Sequence, residues 1–430
     1  MDESKYHQKR VLQNIEDDKE KLVQLLQNLI EIPSVTGEEG EVQKFISANM
    51  KDIGLNVDTF EPDFSKLQKH PGCSPGEKSY KDRPNVVGIL KGKGKGSSLI
   101  LNAHADVVPI GDLESWKHNP WGGEFEGGKI FGRGSSDTKS GLAAMVMASK
   151  AIVDAGLRLN GDVILQSVIE EEAGGNGTLA CVLKGYKADA GIIVESTDMS
   201  IKPAARGGMW MRIIAKGKSA HVGSKQEGVS AIENAMKLYK ELMRLEKERL
   251  RTRKHPLFAQ IPNPVPIGVC VFKSGVNPAI IPDKAIMEGT VGFLPGEYYS
   301  DVRKYLEKTL KEYSDRDPIL KDYPPEIEWF GICNEPSEVP VDHPIVKALA
   351  RNFERIMRCK AEIGGLSGSA DARHLVLYGN TPSIYFGPGL EKTAHKVDEY
   401  VPVENVVNCT KILARTILDW CGYNDHIVRE

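Results

Sequence analysis

From about residue 85 to 200, short apolar runs alternate with helical patterns. Segments 86–90, 98–103, 163–169 and 190–194 are rich in β-branched residues and almost wholly apolar, as expected of strands covered on both faces. Between two of them, Leu142, Met145, Val146, Ile152 and Val153 share one face of a helix. Segment 137–141 introduces that helix and Gly156 ends it. This is the rhythm of an α/β sheet domain. From Pro203 the rhythm changes to strand 209–215, helix 229–245, strands 266–272 and 285–294, helix 298–313 and strand 326–330. That βαββαβ order is ferredoxin-like and self-sufficient at this size. After Pro336, helix 343–357, the apolar segment 383–386 and a closing helix 401–420 resume the earlier style. The expectation is a discontinuous larger domain, 1–202 plus 334–430, interrupted by an inserted α+β domain, 203–333. No internal repeat is evident.

Composition and charge narrow the field. A chain of 430 residues exceeds the roughly 250–300 that one core supports, and at 40% hydrophobic it is too apolar to be disordered. Its 56 Lys+Arg against 59 Asp+Glu lack the basic excess of a nucleic-acid binder. The first thirty residues are charged throughout, without the apolar core of a secretory signal. No run of about 18 apolar residues is present to span a bilayer. The expected setting is cytoplasmic, with no membrane or nucleic-acid partner. Seven scattered cysteines without a C-x-x-C pair read as reduced thiols, mostly buried.

The chemistry lies where polar residues follow apolar strands. His104 and Asp106 follow segment 98–103, Glu170, Glu171 and Glu172 follow 163–169, and Glu195 follows 190–194. Ligands of open α/β sheets bind beyond the carboxyl ends of the strands, so these groups converge on one crevice. Asp137, in the turn GRGSSDTKSG before a helix, belongs there too. Singly, the triple Glu is an ordinary solvated loop and Asp137 a helix cap. Together, four or five carboxylates in one crevice repel unless cations neutralise them. Histidine and carboxylate ligands without cysteine suit a catalytic site for zinc, cobalt or manganese better than a structural zinc site. Two metals about 3.5–4 Å apart would use the surplus acids and leave one glutamate free as a base. Other motifs fail: GKGKG at 92–96 is a flexible turn, and Gly217, Lys218 and Ser219 end no phosphate loop because Arg212 stands where its first glycine is needed.

HADVVP, GRGSSDTKSG, EEEAGGNG, the glutamate of IIVES, GKSAHVG and AHKVDE, in this order, resemble the metallopeptidase family of aminoacylase, acetylornithine deacetylase, succinyl-diaminopimelate desuccinylase and carboxypeptidase G. The resemblance runs from LQNLIEIPSVTGEEGEV to the closing helix. It implies a catalytic domain with a mixed sheet between helices, interrupted by a lid and dimerisation domain. It also implies two divalent ions per chain, zinc first, with cobalt or manganese as alternatives. His104 and Glu195 would hold one metal, Glu172 and His395 the other, and Asp137 would bridge them. Asp106 would accept the other imidazole N–H of His104. Glu171 would be the general base; family spacing to the following AGG separates it from Glu172 and leaves Glu170 without a catalytic role. His221 matches the family histidine that reaches an active site across a homodimer interface to donate to the oxyanion.

The implied reaction is metal-assisted hydrolysis of an amide, with a small N-acyl amine or a peptide as partner. Arg373 in GGLSGSADAR is the candidate clamp for a substrate carboxylate, and Asn277 in SGVNPAIIPD a candidate polar contact. One departure bears on substrate: where many relatives place an arginine before the PG turn, this chain has EGTVGFLPG, with Gly292 and Phe293. The reading is a deacylase in the manner of acetylornithine deacetylase. A dipeptidase or carboxypeptidase, or a deformylase of an aminopyrimidine, would use the same chemistry. A catalytically silent metal-binding scaffold is the alternative of another class.

Overall fold

In the computed structural model, which describes residues 3–75 and 79–425, the chain divides into two units. The first joins Met1–Ala204, Glu338–Leu366 and Ala370–Glu430; the second comprises Ala205–Ser337 and Ser367–Ser369. The chain leaves the second unit later than residue 333 because the strand begun at Glu326 runs on to Asn334.

The first unit is built on a mixed sheet. Its strands lie in the order Asn56–Phe60, Asn85–Leu90, Val163–Val168, Leu99–His104, Ala190–Ile193, Ser383–Tyr385 and Ile201–Ala205. Leu99–His104 runs parallel to Val163–Val168 and to Ala190–Ile193, which is parallel to Ser383–Tyr385. The outer pairings are antiparallel. These central strands are buried along their whole length, which is why they read as continuous apolar runs. On one face lies the helix Ser140–Asp154, apolar on nearly every side and buried accordingly. It packs against the closing helix Val403–Cys421, which also meets Pro344–Met357. Two N-terminal helices, Glu3–Asp17 and Lys19–Glu31, join the same core through Val11, Ile15, Leu22, Leu26 and Leu29. Each such side chain removed from water contributes about 1.5–3 kcal/mol.

In the second unit a four-stranded antiparallel sheet has the order Ile267–Ser274, Lys284–Phe293, Gly207–Lys216, Glu326–Asn334. Helices Ala231–Thr252 and Tyr299–Arg316 cover one face, with Met209, Met211, Ile213, Met287 and Val291 beneath them. Ser230 starts the longer helix by accepting the Glu233 N–H at 3.3 Å. This is the ferredoxin-like topology that the βαββαβ order specifies.

The expectation that the cysteines are mostly buried is corrected. None of the seven is in a disulfide, but Cys181, Cys409 and Cys421 are buried while Cys270, Cys333 and Cys359 are exposed. Cys270 and Cys333 lie on the two edge strands of the second sheet, where side chains meet solvent. Among the described residues no helix is long and apolar enough to cross a membrane.

Candidate metal centre

The parallel strands deliver their ends to one crevice. His104 is the last residue of its strand; Glu171 and Glu172 lie just beyond Val163–Val168, and Glu195 just beyond Ala190–Ile193. The turn after Val168 is tight: Gly174 N–H donates to the Glu171 carbonyl at 2.9 Å and Gly175 N–H to that of Glu170 at 2.7 Å. A β-carbon at Gly175 would stand 2.0 Å from Asp371 Oδ1, and φ there is +74°, so only glycine fits. His395 itself has left-handed backbone, φ 62°, uncommon for a residue with a β-carbon.

Two triads form around one carboxylate. Nε2 of His104 lies 3.1 Å from Asp137 Oδ1 and 3.6 Å from Glu195 Oε1. Nε2 of His395 lies 3.2 Å from Asp137 Oδ2 and 2.9 Å from Glu172 Oε1. Within each triad the ligand-type atoms all lie within 4.8 Å of one another, and Asp137 belongs to both. Glu171 belongs to neither.

The electrostatics are those of a site with surplus negative charge. Burial pushes Glu172 up to about 7, with the Asp137 charge adding to it and the His395 hydrogen bond opposing. Burial likewise raises Glu195 and lifts Glu171 well above the usual carboxylate range. Asp137 goes the other way: burial raises it, but the hydrogen bonds from His104 and His395 prevail. Those to Asp137 and Glu172 push His395 up to about 11. Burial disfavours a charge on His104, yet Glu195 and Asp137 together hold it well above the ordinary histidine value. The two imidazoles thus stand where cations are wanted, and the oxygen and nitrogen donor set fits a pair of borderline divalent ions.

Asp106 works differently from expectation. The Nδ1–H of His104 is met by the backbone carbonyl of Asp106 at 2.8 Å, with the carboxylate farther off at 3.6 Å. That carboxylate turns instead to the backbone N–H groups of Glu171 (3.0 Å) and Glu172 (3.2 Å) and to the Thr36 hydroxyl (2.9 Å). One residue therefore fixes the His104 tautomer through its main chain and the Glu171–Glu172 segment through its side chain.

Arg373 is buried, 4% exposed. Its guanidinium donates to the carbonyls of Gly174 at 2.5 Å and Ala370 at 3.2 Å. His221 and Asn277 belong to the second unit. His221 pairs with Ile280 in the short ribbon of Ala220–His221 and Ile280–Ile281, and Val222 N–H reaches the Ala279 carbonyl at 2.8 Å. Asn277 Oδ1 accepts from Ala279 N–H, so the two residues occupy adjoining arms.

Three positioning residues escaped the sequence reading. Glu399, buried, accepts the backbone N–H groups of Ser136 (2.9 Å) and Asp137 (3.0 Å) through one oxygen. Its other oxygen meets Arg133 Nη1 at 2.6 Å, and the same nitrogen donates to the Lys396 carbonyl beside His395. Lys139, wholly buried, donates to the carbonyls of Leu29 and Ile32, and burial lowers it to about 7. Arg133 and Lys139 lie inside the motif GRGSSDTKSG, and Glu399 is the last residue of AHKVDE.

The comparisons agree with this architecture. Over 433 residues the chain is 33% identical to the N-formyl-4-amino-5-aminomethyl-2-methylpyrimidine deformylase of Bacillus subtilis (strain 168), covering 95% of this chain and 96% of that protein. It is 29% identical to the deformylase of the same name from Halalkalibacterium halodurans, covering 96% and 97% respectively. The dipeptidase Dug1p of Saccharomyces cerevisiae has the same fold, with TM-score 0.74 and 15% identity over 96% of this chain and 98% of that one. The family profile of peptidase family M20/M25/M40 matches residues 100–419. With every strand-end ligand candidate inside that stretch, the chain belongs to peptidase family M20/M25/M40 and is a hydrolase of amide bonds.

Proposed function

We propose that the Asp137-centred crevice holds two divalent cations and removes a short acyl group, formyl first, from a small amine. The observation that carries the reading is that the two oxygens of Asp137 face different histidines. His104 and Glu195 would hold one ion, Glu172 and His395 the other, with Asp137 between them; zinc is the first candidate. When bound, such ions supply Lewis acidity toward the amide carbonyl and lower the pKa of a shared water.

The chain's own groups supply the proton chemistry. Glu171 stands outside both triads, and burial raises its affinity for a proton. It takes a proton as the water oxygen bonds to the acyl carbon, then returns it to the nitrogen as the carbon–nitrogen bond breaks, releasing carboxylate and free amine. His221 is proposed, on the resemblance, as the oxyanion donor contributed by a second copy of the chain. Its Nδ1 accepts the Gly223 N–H at 3.0 Å, which puts the proton on Nε2, the tautomer a donor needs. Seven cysteines, none of them in a disulfide, favour a reducing, cytoplasmic setting.

A formyl amine without a carboxylate is put first for two reasons. Arg373, the candidate carboxylate clamp, is buried on backbone carbonyls, and two similar proteins carry a formylaminopyrimidine deformylase name. The test is amine release by the metal-loaded protein from N-formylaminopyrimidines, N-acetylornithine, N-succinyl amines and dipeptides. Turnover of dipeptides alone would overturn the reading in favour of a peptidase.

A further inference from the structure

The turn that carries Glu171 and Glu172 contains three residues with left-handed backbone, Glu170, Gly174 and Gly175. Glu170 has a β-carbon, and for such a residue the conformation persists only where its surroundings fix it. Asp106 holds the N–H groups at the start of the turn and Arg373 the Gly174 carbonyl at its end. A third hold comes from an unexpected quarter. Strands Asn56–Phe60 and Asn85–Leu90 are antiparallel neighbours, yet the chain between them, residues 61–84, is far longer than the roughly two to five residues that close a hairpin. Part of this connection turns back onto the glutamate turn.

The Ser74 hydroxyl donates to the Gly174 carbonyl at 3.0 Å, the same oxygen that takes the Arg373 guanidinium. The side-chain amide of Asn176 pairs with the Ser74 main chain in both directions, accepting its N–H at 3.0 Å and donating to its carbonyl at 2.9 Å. The other amide proton of Asn176 goes to the Tyr80 hydroxyl at 3.0 Å. Burial, with Glu170 beside it, keeps that hydroxyl protonated beyond the usual tyrosine range, so its oxygen accepts without carrying charge. With Ser74 and Tyr80 each 3% exposed and Asn176 0%, water does not stand in for a bond deleted here. The connection is itself pinned. The His70 ring meets Tyr378 edge-on with centroids 4.6 Å apart, and a β-carbon on Gly72 would stand 2.4 Å from the Tyr378 ring. Tyr378 directly follows Ala372–Leu377, the helix that carries Arg373, so both donors to Gly174 rest on one support.

We propose that Ser74, Asn176 and Tyr80 are positioning residues for Glu171: through the Gly174 carbonyl they clasp the glutamate turn in the arrangement that keeps Glu171 in the crevice and outside both triads. None of the three belongs to a triad. The role rests on the reading of Glu171 as general base and names the residues that set its place. Asn176 lies in EEEAGGNG, whereas Ser74 and Tyr80 lie in no motif.

Ser74→Ala and Tyr80→Phe each delete one hydroxyl and little volume, so both should fold; Asn176→Ala releases the whole clasp. Each zinc-loaded full chain is followed by amide hydrogen exchange over residues 170–175 and by kcat and KM for an N-formylaminopyrimidine. Exchange about tenfold faster than in wild type is expected, with kcat lowered on the order of tenfold or more and KM and metal content unchanged. In a Glu171→Gln background the same substitutions should cost little further activity, because groups that act as one unit are not additive. An equal loss in both backgrounds, loss of metal from Ser74→Ala, or exchange unaltered in folded Ser74→Ala and Tyr80→Phe overturns the proposal. The two readings fail differently. A fully active Glu171→Gln protein overturns the base assignment and this role with it, whereas an inactive Glu171→Gln protein beside a fully active Ser74→Ala protein overturns this role alone.

Discussion

Removing Glu399 tests whether the centre depends on a group that belongs to neither triad. In Glu399→Ala the Arg133 guanidinium, whose side chain is 3% exposed, loses its counter-charge, a change that costs about 3–5 kcal/mol for a buried pair. The backbone N–H groups of Ser136 and Asp137 lose their acceptor as well, each worth about 1–3 kcal/mol when left buried. These losses share one residue and do not simply add, so the expected destabilisation is about 4 kcal/mol or somewhat more. At roughly 2–4 °C per kcal/mol, calorimetric unfolding of the metal-free protein should fall by about 8 °C or more. Because Asp137 then loses its backbone anchor, metal affinity should drop by about 10–100-fold. The double variant Arg133→Met/Glu399→Leu separates the two effects. An apolar pair removes the orphan charge and should restore much of the stability, yet the N–H groups stay unpartnered and metal affinity should stay low. Unfolding of Glu399→Ala within about 1 kcal/mol of wild type, or metal binding unchanged in both variants, would refute the reasoning.

Glu171→Gln should lose activity by on the order of 100-fold or more with metal content retained, whereas Asp137→Asn should lose metal as well; wild-type turnover in the first would move the base elsewhere in the triple Glu. Gly387→Ala would set a β-carbon 2.2 Å from the Glu195 carbonyl oxygen, so metal titration should show one of two equivalents weakened; two unaltered equivalents would mean the backbone there yields freely. Arg373→Met should lower kcat and thermal stability together by releasing Gly174, with KM for an uncharged N-formyl amine unchanged. A selective rise in KM for carboxylate substrates would return Arg373 to the role of clamp.

Much of the fold was legible because burial on both faces writes itself into composition: the four central strands are mostly valine, isoleucine, leucine and alanine, with Asn102, Gln166 and Ser167 as buried polar exceptions. The second N-terminal helix carries its own signal, Leu22, Leu25, Leu26 and Leu29 at helical spacing, but the charges between them mask it. The site was legible in its ligands and not in its supports. Histidine and carboxylates that recur after successive apolar strands have, taken together, no inconspicuous explanation. Glu399 looks like any surface acid until the fold carries it to Ser136 and Asp137.

That asymmetry follows from how such a site is held. Three of the candidate ligands, His104, Glu172 and Glu195, stand at or just beyond strand ends, and strand direction alone sends them to one side of the sheet, so one-dimensional order suffices to group them. Their anchors are hydrogen bonds between segments remote in sequence: Arg133 to Glu399, 266 residues apart, Asp106 to Glu171, 65 apart, and Lys139 to Leu29, 110 apart. No local spacing encodes these pairs, and each ties a stretch that bears a candidate ligand to a segment remote in sequence. Asp137 shows what the anchors achieve: Glu399 fixes its backbone from one side and Lys139 ties down the turn from the other. Its two carboxylate oxygens can then face His104 and His395 at once, and on that division the proposal of two cations rests.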